Sequence, residues 1–253
     1  MVSNKATFVL IHGGGHGGWC WSRVAARLRG AGHDVHTPTL TGLGERAHLL
    51  TSRVGLSTHV EDVVNLLTYE DLEEVILVGH SYGGMVLTGV ADRAVERVAQ
   101  IVYLDAAIPH AGESLVDTSP GLRKFAEADA RDVDGVRLVL WPGPITQRLY
   151  GLEGEDWSWA EPRLTPHPYR CFEEPLPLAR ADAVEGLPRT IINCTSTLKV
   201  RDPNTLPRYF AGERVWEIDE PHDMMITAPE LTAELLLRLV PDSAPPLEPA
   251  SSR

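Results

Sequence analysis

Lysine is almost missing from this chain. Only three of the 23 basic side chains among its 253 residues are lysine (Lys5, Lys124, Lys199), and 35 Asp and Glu leave a formal net charge of −12. That balance excludes nucleic acid and an anionic membrane face as partners, because both require clustered cations. Cysteine is scarce too. Cys20, Cys171 and Cys194 are far apart and odd in number, which excludes a disulfide framework and a cysteine-based metal cluster. No apolar run approaches membrane-spanning length, and Met1-Val2-Ser3-Asn4-Lys5 leads into no signal-like apolar core. A cytoplasmic protein with no metal is expected.

What the chain has is alternation. Phe8-Val9-Leu10-Ile11, Val35-His36-Thr37, Val75 to Val78, Ile101 to Leu104, Thr190-Ile191-Ile192 and Val215 to Ile218 read as strands, several apolar enough for burial on both faces. Between them Trp21 to Arg29, Thr58 to Leu67 and Gly84 to Arg93 have helical spacing. Pro229 opens a last helix with Leu231, Leu235, Leu236 and Leu239 on one side. The expectation is an α/β fold, a single domain over 1–253 with a mostly parallel central sheet flanked by helices. The stretch of approximately 109–187, rich in Pro, Trp and acidic residues, is longer than a crossover needs and is read as a lid inserted between two late strands. The Pro- and Ser-rich tail 242–253 is read as disordered.

The pentapeptide Gly79-His80-Ser81-Tyr82-Gly83 lies between the run Val75 to Val78 and a helix-compatible segment. A serine at such a strand-to-helix turn projects its hydroxyl from the top of the sheet, so Ser81 is the candidate nucleophile. The first strand ends in His12-Gly13-Gly14-Gly15-His16-Gly17-Gly18-Trp19. Acyl transfer needs two preset amide donors for a developing oxyanion, and a glycine loop can present one without side-chain obstruction. Gly14 is the candidate for the first, and Tyr82, directly after the nucleophile, for the second. A nucleotide-binding reading of the loop fails: Gly13, Gly15 and Gly18 fit a dinucleotide spacing, but no acidic residue ends the second strand and no phosphate-loop pattern occurs. His222 follows the last strand by four residues and is the candidate base, since serine needs a group that takes its proton and later returns it. His12 and His16 are read as orienting the loop, with His16 also a candidate contact for substrate.

Through His12-Gly13, His16-Gly17, Trp19, Gly30-Ala31-Gly32-His33, the elbow and the segment around His222, the chain resembles the α/β-hydrolase superfamily over roughly residues 5 to 240. Within it the resemblance is to plant methyl esterases and hydroxynitrile lyases with their bacterial esterase-like relatives. It implies the α/β-hydrolase fold and a Ser-His-acid triad without a cofactor. Two departures stand out. Cys194-Thr195-Ser196-Thr197 puts a threonine where the plant members carry the acid. Asp105, at the carboxyl end of the strand beside the nucleophile strand, is therefore the candidate acid, Asp202 the alternative, and Asp219 and Asp223 are read as loop charges. Asp223 also stands where the hydroxynitrile lyases have a lysine, and a carboxylate there would repel an anionic leaving group, so hydrolysis is expected over cyanide chemistry.

The expected activity is that of a serine hydrolase acting through an acyl-enzyme on an ester, lactone or thioester of a bulky apolar small molecule. Trp141, Trp157 and Trp159 are the candidate substrate contacts, with the lid's own core as the competing explanation for these aromatics. A lyase, cyclase or acyltransferase on the same residues, and a catalytically idle small-molecule binder, stay open. So does the oligomeric state, a homodimer included.

Overall fold

Strands buried on both faces must be covered by helices on both sides, and Phe8, Leu10, Val78, Ile101 and Leu104, all fully buried, sit in such strands. The computed structural model describes residues 5–141 and 143–241; the tail 242–253 lies outside them. Its main sheet comprises β1 (Thr7–Ile11), β2 (Asp34–His36), β3 (Val75–His80), β4 (Val98–Leu104), β8 (Arg189–Cys194) and β9 (Arg214–Ile218). The order is β2-β1-β3-β4-β8-β9, and every neighbouring pair is parallel. From β1 the chain goes outward to β2 and then returns to the other side at β3. The sheet therefore has a switch point above the carboxyl ends of β1 and β3, where loops diverge and leave a crevice. The glycine loop follows β1 and Ser81 follows β3, so topology puts both at that crevice.

Helices α1 (Ser22–Gly30), α2 (Leu56–Tyr69) and α3 (Gly83–Arg93) connect the first four strands. Helix α3 is buried from Gly83 to Asp92, which is why it shows little amphipathic contrast in sequence. The expected last helix is α12 (Pro229–Leu237), packed on α1; Leu235 and Leu236 are buried within it, and Leu239 is buried just past its end.

Between β4 and β8 the chain builds α4 (Leu115–Thr118), α5 (Pro120–Asp129), α6 (Gly143–Tyr150), α7 (Gly154–Ala160), α8 (Arg170–Glu173) and α9 (Ala181–Glu185). A separate antiparallel sheet of β5 (Ala130–Val133), β6 (Val136–Val139) and β7 (His167–Pro168) lies among them. Asp134 and Gly135 both have positive φ, 49° and 78°, the backbone of a two-residue hairpin turn. Two short helices, α10 (Thr195–Leu198) and α11 (Met224–Thr227), follow β8 and β9.

Candidate active site

Ser81 has φ of 54°, a left-handed backbone that strains a side-chain-bearing residue by about 1–3 kcal/mol and persists only where its surroundings fix it. They do. The Ser81 carbonyl accepts from the Gly84 amide at 3.1 Å and the Ala107 amide at 2.9 Å. A Cβ on Gly83 would stand 2.7 Å from the Ile11 carbonyl oxygen, so only glycine lets α3 start this close to β1. Asp105 is also left-handed, with φ of 45°, and its amide donates to Ile192 O on β8 at 2.7 Å. Two strained residues at adjacent strand ends thus aim their side chains at one point.

His222 meets both. Its Nδ1 lies 2.5 Å from Asp105 Oδ2 and its Nε2 2.9 Å from Ser81 Oγ. An ionised carboxylate only accepts, so Nδ1 carries the proton and Nε2 is free to accept from the serine hydroxyl. Burial disfavours the imidazolium, but the neighbouring Asp105 carboxylate outweighs that and raises the His222 pKa. Burial would push Asp105 up. The His222 charge and hydrogen bond, the Arg201 charge and the Thr197 hydroxyl instead hold it well below the usual carboxylate range. Asp202, the alternative acid, is turned to its own loop, where Oδ1 accepts from the Asn204 amide at 2.8 Å.

The glycine loop is fixed by its carbonyls. His12 Nε2 accepts from the Leu40 amide at 3.1 Å, so Nδ1 carries the proton and donates to Gly13 O at 2.9 Å. Gly14 O accepts from His16 Nδ1 and from the Tyr150 hydroxyl, both at 2.8 Å. Gly15 O accepts from the Thr165 amide at 2.9 Å. His12 thereby sets the plane of the peptide whose amide is Gly14. Among the described residues neither the Gly14 nor the Tyr82 amide has an acceptor, and both residues line the cavity in front of Ser81. Two unused donors beside a serine Oγ are what an oxyanion requires.

That cavity has a volume of about 370 Å³, within the range of small-molecule sites. Trp141 is at its wall, lying on the glycine loop so closely that a Cβ on Gly15 would be 2.6 Å from its Nε1. Leu115, Leu122, Phe125, Leu149 and Phe172 complete an apolar surround.

Three expected substrate contacts are corrected. His16 is fully buried and does not line the cavity; its Nε2 faces Asp223 Oδ2 at 2.9 Å. Trp159 packs edge-on to Trp19 at 5.2 Å under the guanidinium of Arg23, and Trp157 packs against the start of α6. Neither lines the cavity: Trp157 packs within the insertion, and Trp159 joins the insertion to Trp19 and Arg23. Asp223 is no loop charge either: it is fully buried, does not line the cavity, and its Oδ2 faces His16 Nε2 at 2.9 Å, while its charge still favours the His222 imidazolium. Residues that sequence reasoning did not assign are Thr197 and Arg201, which contact Asp105 Oδ1 at 2.6 and 3.0 Å, and Tyr150, which ties α6 to Gly14. The only signal for Thr197 was that it stands where relatives carry the acid; Arg201 had none.

Comparison with known proteins agrees with this architecture. The model of the Alpha/beta hydrolase family matches residues 8–235. A carbendazim hydrolyzing esterase from Nocardioides sp. (strain SG-4G) is 39% identical over 247 residues, covering 92% of this chain and 99% of that protein. Methyl jasmonate esterase 1 of Vitis vinifera is 34% identical over 178 residues, 66% of this chain and 68% of its own. An extracellular α/β-hydrolase from a Paenibacillus species superimposes with a TM-score of 0.77 at 24% identity, covering 94% of this chain and all of that one, a likeness of fold.

Proposed function

The chain belongs to the α/β-hydrolase family, and from that premise we propose that it hydrolyses carboxylic esters of bulky apolar small molecules through an acyl-enzyme on Ser81. The observation that carries the reading is the run Ser81–His222–Asp105, with contacts of 2.9 and 2.5 Å, opening on an apolar cavity beside two unused amides. Ser81 Oγ attacks the ester carbonyl as His222 Nε2 takes its proton. The carbonyl oxygen becomes an anion held by the Gly14 and Tyr82 amides. The tetrahedral intermediate collapses, and His222 returns the proton to the departing alcohol. Water then enters, His222 deprotonates it, and the same donors serve the second intermediate, releasing acid and free Ser81. Asp105 keeps the proton on Nδ1 and stabilises the imidazolium at both stages. The insertion serves as a lid that supplies the apolar walls and excludes bulk water. Three free, buried cysteines suit a reducing cytoplasm, and no helix of the described residues is long and apolar enough to cross a membrane.

The test is a panel of aryl and alkyl methyl esters that includes methyl jasmonate, chosen for a named relative, run in ¹⁸O-water. Hydrolysis places one solvent oxygen in the acid product. A fluorophosphonate should label Ser81 and nothing in Ser81→Ala, and that variant should lose about 10⁴- to 10⁶-fold in kcat with an unchanged melting temperature. Esterase turnover persisting in Ser81→Ala, with contaminants excluded, would overturn the reading.

A further inference from the structure

The carboxylate that faces His222 is partnered by a cation the reaction does not itself require. Arg201 Nη2 lies 3.0 Å from Asp105 Oδ1, and the Arg201 side chain is 15% exposed. Its guanidinium carbon sits 3.7 Å from the centroid of the Tyr209 ring, which fixes the plane of the fork. Thr197 Oγ1 donates to the same Oδ1 at 2.6 Å. Both donors act on one oxygen, and Oδ2 is left to His222 Nδ1 at 2.5 Å.

We propose that Arg201 is a positioning residue of the proton relay: with Thr197 it pins Asp105 by Oδ1, and its charge sets the pH above which His222 can accept the serine proton. The inference rests on the hydrolase reading of Ser81 and His222. An Asp-His pair alone is negative while the imidazole is neutral; with Arg201 the group is balanced. Asp105 favours the imidazolium, and Arg201, one carboxylate further away, opposes it, so the base stays neutral and competent to lower pH. The other groups facing His222 are His80 on β3, with ring centroids 4.6 Å apart, Tyr150 on α6 at 6.3 Å, Ser81, and Asp223 next in the chain. Burial keeps His80 neutral and the Tyr150 phenol protonated, and the Asp223 carboxylate, like Asp105, favours the imidazolium. Arg201 is therefore the cation whose removal His222 should register.

Arg201→Gln and Arg201→Met remove the charge, and Arg201→Lys keeps it. Tyr209→Leu, which removes the ring under the guanidinium, adds a milder perturbation should an uncharged variant not fold. The His222 pKa is read twice: from the acid limb of kcat/KM against pH, and by NMR titration of the imidazole, assigned with His222→Gln, which needs no turnover. The limb and the NMR value should both rise by about half a unit to one unit in the uncharged variants. Arg201→Lys should stay within about 0.2 unit of wild type, and Tyr209→Leu should shift less, with the same sign. A limb and an NMR value that stay in place in the folded variants would overturn the proposal. So would a KM rise confined to anionic esters with the limb unmoved, which would make Arg201 a substrate contact instead. If no ester is turned over, the hydrolase reading fails alone, and the NMR shift still decides the role of Arg201.

Discussion

The two walls of the cavity differ in what their polar atoms do. On the sheet side the carbonyls of Gly13, Gly14 and Gly15 are all taken, both Asp105 oxygens are engaged, and two strained residues are clamped by backbone hydrogen bonds. On the insertion side Leu115, Leu122, Phe125, Ile145 and Leu149 offer carbon, and Ile145 and Leu149 are 44% and 41% exposed at the rim. A hydrogen-bonded wall has one arrangement, because moving any member orphans a buried partner. An apolar wall tolerates exchange of shape and volume. On the proposed mechanism the chemistry belongs to the sheet and the choice of ester to the insertion, a division that the variants below can break.

The sharpest break of that contrast is at Asp105. Asp105→Asn keeps the shape but presents an amide to His222, which then spends part of its time in the wrong tautomer; kcat should fall by roughly 10³ to 10⁴. Asp202→Asn, on a carboxylate engaged only with its own turn, should change kcat by less than about threefold. If Asp202→Asn were the crippled variant, the sheet wall would not hold the acid.

Next in size is acid lability, also a property of the sheet side. Burial lowers His12 and His80 to about 3 and His59 to about 4. A depressed imidazole is neutral in the fold and charged in the unfolded chain, so between about pH 6.5 and 4 the unfolded state binds more protons and stability falls as pH falls. Each such histidine removes about 1.4 kcal/mol per pH unit. Asp105 and Asp223, depressed carboxyls, contribute stability that is lost only below about pH 4, and His222, raised, contributes stability lost as pH rises through its folded value. Denaturant titrations at pH 7, 6 and 5 should show a loss of several kcal/mol. A flat profile would mean that the buried imidazoles take up protons in the fold.

The insertion wall should respond differently. Phe125 of α5 lines the cavity beside Trp141, with ring centroids 5.8 Å apart. Phe125→Ala should raise KM for a large aromatic ester by about 10- to 30-fold while leaving kcat for a small acetate within about threefold. Trp159→Ala, off the cavity, should leave both kinetic constants nearly unchanged. An equal fall in kcat for every ester in Phe125→Ala would erase the division between the walls.

How far the sequence carried the reading follows the same division. The parallel strands were legible because strands buried on both faces read as unbroken apolar runs, and the elbow because strand, turn and helix follow one another within a few residues, even though the contact that demands Gly83 is with Ile11 O on β1. Asp105 could be proposed from its place at a strand end. The insertion's strands were not legible: Ala130-Arg131-Asp132-Val133 is too polar, and β7 too short, to leave a period-2 signal, although Asp134-Gly135 is a hairpin dipeptide. His16 was misjudged because its partner is 207 positions away, and Trp157 and Trp159 because aromatic composition does not say which way a ring faces.

The smallest expected effect lies where the walls meet. The Tyr82 ring stacks with Phe172 of α8 at 6.2 Å and meets His167 of β7 edge-on at 4.8 Å. Its hydroxyl donates to His59 Nδ1 at 2.8 Å, while His59 Nε2 donates to Thr41 O at 2.9 Å. Tyr82→Phe keeps the ring and the amide but leaves His59 Nδ1 with only the weak Cys171 thiol donor at 3.7 Å, at a cost of about 1 kcal/mol in stability. Turnover should change by less than about threefold, because the proposed mechanism draws the oxyanion donor from the main-chain amide and not from the phenol. The pair of measurements is a thermal melt and kcat with one ester: the melting temperature should drop and kcat should hold. A fall of about a hundredfold or more in kcat in a folded Tyr82→Phe would place the hydroxyl in the chemistry and move the Tyr82 ring from support into the active site.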